Sequence, residues 1–222
     1  VKNLTDLICV EPKGGLIAGT LVHTDKGLVP IERLKISDQV LSRSENDPEG
    51  ELSYQRIIET HIFEEKSLRL VRFARHNSQS SKDVFGIIAT PNDLFWVEGT
   101  GWMRSDNLIT GNNVRLGAGT VMVADCGPLL LTDMENLAWV PDFPRIFPIY
   151  EDGFLIDLTN GVINSDLSNM LTTIKRNVVT ENYRFGSDEE NFYKSTVYNI
   201  TVAETHTYFV NDCGVWIHNK PL

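Results

Sequence analysis

Cysteine is scarce in this chain. Three thiols, Cys9, Cys126 and Cys213, are spread over 222 residues, too few and too scattered for a disulfide framework. The sequence has no C-x-x-C pair to form a zinc knuckle. Positive charge is also short: Lys and Arg number 20 against 30 Asp and Glu, for a formal net charge of −10. A surface of that sign repels phosphate backbones and anionic headgroups, so neither nucleic acid nor a membrane is expected as a partner. No apolar run reaches the ~20 residues that span a bilayer. The first residues also lack the basic, hydrophobic, small-residue order of an export signal. The chain opens Val1-Lys2-Asn3 without an initiator methionine, from which we expect a segment of something longer, with flanking domains.

What is present is strand. Hydrophobic residues make up 41% of the chain, enough for one large all-β domain or two small ones. Short β-branched blocks such as Gly19-Thr20-Leu21-Val22-His23-Thr24, Ile87-Ile88-Ala89-Thr90 and Val197-Tyr198-Asn199-Ile200-Thr201-Val202 are separated by turn residues. Asp25-Lys26-Gly27 fits a hairpin loop. Sliding the chain over itself by 74 residues sets Gly27-Leu28, Leu34, Asp38 and Val40 on Gly101-Trp102, Leu108, Asn112 and Val114, with Leu21-Val22-His23 on Phe95-Trp96-Val97. Two matching strand-turn-strand halves predict a duplicated β architecture with a pseudo-two-fold axis and a site where the halves meet.

One stretch reads as helix. Ser165 can cap it, Leu167, Met170, Leu171 and Ile174 share one face, and Lys175-Arg176 occupy the last turn. It lies in a region from about 142 to 196, opened by Pro141, Pro144 and Pro148 and closed by the acidic run at Asp188-Glu189-Glu190. We read this region as an α-containing insertion on the β core.

Three ordered blocks carry a resemblance. The first runs from Gly15 through Ala18-Gly19-Thr20-Leu21-Val22-His23-Thr24 to Pro30-Ile31-Glu32 and Asp38-Gln39-Val40-Leu41. The middle block is Thr90-Pro91-Asn92-Asp93-Leu94-Phe95-Trp96-Val97. The last runs from Val197-Tyr198-Asn199 through Thr205-His206-Thr207-Tyr208-Phe209-Val210 to Gly214-Val215-Trp216-Ile217-His218-Asn219. Together they resemble the Hint (hedgehog/intein) superfamily, and most of all the modules placed before toxin tips in bacterial polymorphic toxins. The resemblance implies a horseshoe of short strands over residues 15–219, with residues 1–14 as an upstream flank and 220–222 as the start of a downstream segment. It also implies an exported body upstream and a toxin effector downstream as partners in the same polypeptide. Localisation would then be exported or secreted as part of a larger bacterial protein, no cofactor or metal is expected, and the isolated domain is expected to be a monomer.

Chemistry of this family makes a demand at each junction. At the first, a thiol or hydroxyl must attack the preceding carbonyl. That position falls here on Gly15, which has no side chain, while Cys9 lies upstream of the first strand. The family's Thr-x-x-His becomes Thr90 to Asp93, and an ionised aspartate accepts hydrogen bonds but donates none unless its pKa is strongly raised. The acyl shift at the Gly14-Gly15 bond is therefore expected to be lost.

At the second junction the parts are present. The carboxamide of Asn219 is the group that would close on its own carbonyl and release Lys220, with His218 and His206 as proton carriers or orienting groups. The chain is thus at most a single-turnover self-cleaving domain, and the alternative is a catalytically inactive scaffold between body and effector. Each candidate also has a bland reading. His206 can be a buried imidazole tied to the backbone, Asp93 a turn or cap residue, Thr90 a strand hydroxyl, and His218-Asn219 turn chemistry at a strand end. An insertion of this size is short for an endonuclease domain. His23, His61 and His76 lack metal-ligand spacing, and Arg69, Arg72 and Arg75 are expected to pair with nearby carboxylates. Trp96, Trp102, Trp139 and Trp216 are expected in core or groove packing, and Cys213 as a buried thiol.

Overall fold

A computed structural model describes residues 14–75, 84–141, 152–159, 171–175 and 191–218. The chain first lays down β1 (Leu16–Ile17), β2 (Leu21–Thr24), β3 (Gly27–Pro30), β4 (Gln39–Ser42), β5 (Ser53–Ser67), β6 (Arg69–Ala74) and β7 (Val84–Ala89). Next come β8 (Leu94–Val97), β9 (Gly101–Arg104), β10 (Asn113–Arg115) and β11 (Thr120–Pro128). A second group, β12 (Leu130–Leu131), β13 (Leu137–Pro141), β14 (Asp152–Asp157) and β15 (Leu171–Lys175), precedes the closing strands β16 (Lys194–Val202), β17 (Thr207–Val210) and β18 (Val215–His218). Fourteen of these form one continuous sheet, and β12 to β15 form a separate four-stranded antiparallel sheet. The fold is all-β, as the strand blocks predict.

The alternation of side chains explains how the sheets meet. On β6 and β7, Val71, Phe73, Phe85, Ile87 and Ala89 enter the large core with Leu16, Phe95, Tyr208 and Ile217. Their neighbours Leu70 and Ile88 point the other way and pack with Ile17 and Val197 against Ala138, Val140 and Ile156 of the second sheet. Strands covered on both faces read as unbroken apolar runs, which is why Ile87-Ile88-Ala89 shows no polar alternation.

The duplication is visible in the backbone. Relative to β3, the 3-10 turn at Ile31–Arg33 and β4, the elements β9, the turn at Ser105–Asn107 and β10 recur at an offset of 74. Asp38 Oδ2 accepts from the Lys35 amide at 2.9 Å, and Asn112 Oδ1 accepts from the Ile109 amide at 2.9 Å. Ser37 and Gly111 both take positive φ, 80° and 95°. One part of the sequence alignment is corrected. Hairpin registers pair Thr24 with Gly27 and Val97 with Gly101, so the second hairpin loop is one residue longer and Leu21-Val22-His23 match Leu94-Phe95-Trp96. In a strand such a slip reverses which face each side chain takes, and the structural match puts the buried Val22 and Phe95 at equivalent places.

The helix expected at Leu167 to Arg176 is also overturned where it is described. Leu171–Lys175 is strand β15, paired antiparallel to β14 from Leu171↔Ile156 to Lys175↔Asp152. Ser165, Leu167, Met170 and Arg176 lie outside the described residues. Thr172, Thr173 and Ile174 are β-branched and favour a pleated surface. The open edge of β14 supplies the hydrogen bonds, so pairing overrides an apolar spacing that fits either period.

Candidate active site

Strand β1 is where the two halves join. Leu16 pairs with Ala89 of β7 on one side and with Tyr198 of β16 on the other. The residues just before it, Gly14 and Gly15, are therefore held between the Thr90 turn and β16, and both are buried.

The Gly14-Gly15 peptide is bound at both polar groups. The Gly15 amide is shared between Thr90 Oγ1 and Asp93 Oδ2, each at 3.2 Å. The Gly14 carbonyl accepts from Asn199 Nδ2 at 3.1 Å, and the Gly15 carbonyl accepts from the Thr90 amide at 3.1 Å. Behind Asn199, the Tyr208 hydroxyl donates to Asn199 Oδ1 at 3.3 Å. Tyr208 is fully buried and faces Asp93, and both effects hold its phenol well above its usual range, so it stays a donor.

Asp93 is only 4% exposed. Its Oδ2 also accepts from the Thr90 amide at 2.7 Å and from the Thr90 hydroxyl at 2.7 Å. Burial pushes its carboxyl up to about 6, against the opposing pull of the hydrogen bonds from Thr90 and Gly15. Below that pH the group carries a proton, which meets in part the condition that the sequence left open. Ser105 fixes the turn from beneath, its hydroxyl donating to the Thr90 carbonyl at 2.7 Å and its amide to the Asp93 carbonyl at 2.8 Å.

Gly15 is more than a position without a nucleophile. A Cβ built there would meet the Tyr198 carbonyl oxygen at 2.6 Å and its carbon at 3.0 Å. The backbone of β16 has closed over the place a side chain would need.

His218 ends β18, between β17 and β8, with Thr207 and Leu94 as its cross-strand partners. These residues follow His206 and Asp93 directly, so the C-terminal strand finishes beside the Gly15 clamp. The His218 ring is bonded through Nε2 to Glu45 Oε2, and Trp102 packs edge-on against it with ring centroids 4.9 Å apart. His206 is half-buried with φ 56°, immediately before β17. Asn219 lies outside the described residues. The structure thus joins Gly15, Thr90 and Asp93 in one hydrogen-bonded group and sets His218 on the adjoining strand.

Residues that the sequence did not single out as site residues complete the arrangement. Asn199 and Tyr208 stand in the last block, and a polar Asn inside a β-branched strand is the signal that could have marked the first. Glu45 lies in a loop with no local signature.

Arg72 Nε donates to Asp125 Oδ1 at 2.9 Å. Trp96, Trp102 and Trp216 pack together with centroids 4.7 to 5.3 Å apart, and Trp139 is buried in the second sheet. Burial pushes the Cys213 thiol up to about 12, so it is no nucleophile at neutral pH. No group of His, Cys, Asp and Glu among the described residues could hold a metal ion.

No family model matches the chain, and no curated protein matches it. Solved structures do. A bacterial intein-like domain from Clostridium thermocellum is 19% identical with a TM-score of 0.54, covering 92% of this chain and 98% of its own. A DnaB intein from Synechocystis sp. PCC 6803 is 13% identical with a TM-score of 0.51, over 94% of this chain and 99% of its own. The gp41-1 intein is 16% identical with a TM-score of 0.50, over 93% and 99%. At these identities the likeness is one of fold: this all-β chain has the intein-like architecture of the Hint domains.

Proposed function

We propose that the chain is an intein-like self-processing module that has lost its N-terminal acyl shift and cuts itself once, at the Asn219-Lys220 bond. The observation that carries this reading is the convergence of β18, ending at His218, with the Thr90 turn and β17, beside the clamped Gly14-Gly15 peptide. In the reaction, the Asn219 side-chain nitrogen attacks the Asn219 carbonyl carbon and the bond to the Lys220 nitrogen breaks. His218 takes the proton lost by the carboxamide and returns it to the leaving amine. Asn219 ends as a succinimide and Lys220 as a free amino terminus. Such cyclisation is slow in a free peptide, so alignment by the fold supplies the rate. Splicing is not expected, because Gly15 has no nucleophile and no room for one. The end blocks resemble those of the toxin-associated branch, and on that ground we place the module between an exported body and a C-terminal effector.

The test is a fusion carrying a reporter after Leu222, followed by mass spectrometry. We expect release of a fragment beginning at Lys220 and an upstream product one water lighter than its hydrolysed form, both lost in Asn219→Ala. A fusion that stays intact for days, indistinguishable from that variant, overturns the proposal. It would leave the second reading, a non-cleaving scaffold, which the closed backbone at Gly15 and the aspartate at position 93 favour.

A further inference from the structure

We propose that Glu45 is the positioning residue for His218, its carboxylate accepting a hydrogen bond from Nε2–H so that the neutral ring keeps its lone pair on Nδ1. The inference deepens the self-cleavage reading and takes its functional meaning from it, but the pairing stands on geometry alone. The His218 side chain is 2% exposed and that of Glu45 27%, so the imidazole is enclosed while the carboxylate opens to solvent.

The loop that delivers Glu45 is pinned from several sides. The Arg43 guanidinium donates to the carbonyls of Gly50 at 2.9 Å, Pro48 at 2.9 Å and Gly117 at 3.1 Å. It lies over the Phe209 and Trp216 rings, 5.7 and 5.6 Å from their centroids. Trp102 then serves both members of the pair. Its indole N–H donates to the Glu45 carbonyl at 3.1 Å while its ring edges onto His218. A flexible surface carboxylate would lose rotamer entropy in forming such a contact. Here the Glu45 carbonyl is held by Trp102, so the side-chain rotamers of Glu45 are what the contact has to order.

A carboxylate on one imidazole nitrogen selects the tautomer and steadies the imidazolium formed when the other nitrogen takes a proton. Glu45 is unchanged over the cycle. The proton passes from the Asn219 carboxamide to His218 Nδ1 and on to the Lys220 nitrogen. Two neighbouring cations are already engaged: Arg43 by its three carbonyls, and Arg104, in register with Leu94 on β9, by Asp106.

The test uses the full chain with ¹⁵N-labelled histidine in an Asn219→Ala background, where no cleavage complicates the spectrum. We expect neutral His218 to carry its proton on Nε2, Glu45→Ala to mix the two tautomers, and Glu45→Gln, which keeps an acceptor, to fall between. Retained dispersion of the indole signals shows that each variant is folded. In the cleaving fusion, Glu45→Ala should slow release about 10- to 100-fold, with partial rescue in Glu45→Gln. A proton found on Nδ1, an unchanged tautomer ratio in Glu45→Ala, or an unchanged cleavage rate in that variant each overturns the positioning role. Should the parent fusion fail to cleave while the tautomer responds as expected, the pairing is upheld and the self-cleavage reading falls alone.

Discussion

The two halves of the molecule share a frame and differ in chemistry. In the first, the turn from Ile17 to Thr20 closes by a 3.3 Å amide-to-carbonyl bond, and the Thr20 hydroxyl folds back on the Ile17 carbonyl at 2.8 Å. In the second, the equivalent turn from Thr90 to Asp93 closes by a 3.2 Å bond of the same kind, but its side chains reach outward to the Gly15 amide. Leu16 and Ala89, the residues just before these turns, pair directly with each other. The pseudo-two-fold therefore passes through the place where one half presents a peptide and the other grips it. The two copies share a scaffold and differ in residue type within these turns, Ile17 and Thr20 against Thr90 and Asp93, and only the second pair holds the Gly15 amide.

The largest effect that would sharpen this comparison is electrostatic. Asp93 titrates at about 6 in the fold and near 3.8 in an unfolded chain, so folding takes up a proton between those values. Its contribution is fully present below about pH 4 and is lost as pH rises through 6, a fall of about 3 kcal/mol. Urea unfolding midpoints across pH 3.5 to 7.5 should show this decline, and Asp93→Asn should flatten it. A wild-type profile already flat over that range would show that the second turn is as inert as the first.

Next comes the clamp itself. Gly15→Cys introduces a thiol just before β1 but drives its Cβ onto the Tyr198 carbonyl. We expect a loss of about 1 to 3 kcal/mol from overpacking and no thiol-dependent cleavage before residue 15, read by denaturation and by mass spectrometry after hydroxylamine. Efficient cleavage would mean that β16 yields and that one residue separates the two chemistries.

The smallest effect concerns where the halves are most alike. Asp38→Ala and Asn112→Ala each remove a side-chain cap on the turn before β4 or β10 and should cost about 1 kcal/mol apiece. The Lys26 ammonium and the Lys35 amide hold the Asp38 carboxyl below its usual range, so its contribution is lost as pH falls through that lowered value. Asn112 does not titrate, and its cost should stay constant in the same acid series.

Much of this was legible in the chain. Gly27, Leu34, Asp38 and Val40 against Gly101, Leu108, Asn112 and Val114 announce the duplication, because the positive-φ turn, the apolar plug and the Asx cap each demand a residue type. Thr90 and Asp93 were legible as a departure from a resembled motif. The helix expected from Leu167 to Arg176 gives way to strand at Leu171–Lys175, because a short apolar run fits both periods until a neighbouring edge claims its hydrogen bonds. The one-residue slip at Leu94 was hidden by the length of a hairpin loop, which only strand register reveals.

By itself, then, the sequence determined strand content, the repeat, and the absence of a nucleophile at Gly15, since each is a property of local residue type. Tertiary structure decided what those residues touch: that Asp93 is buried onto the Gly15 amide and titrates near 6, that Asn199 binds the Gly14 carbonyl with Tyr208 donating to Asn199 from behind, and that Glu45 meets His218. Desolvation and hydrogen bonding act between residues far apart in the chain, and only the folded sheet brings them within reach.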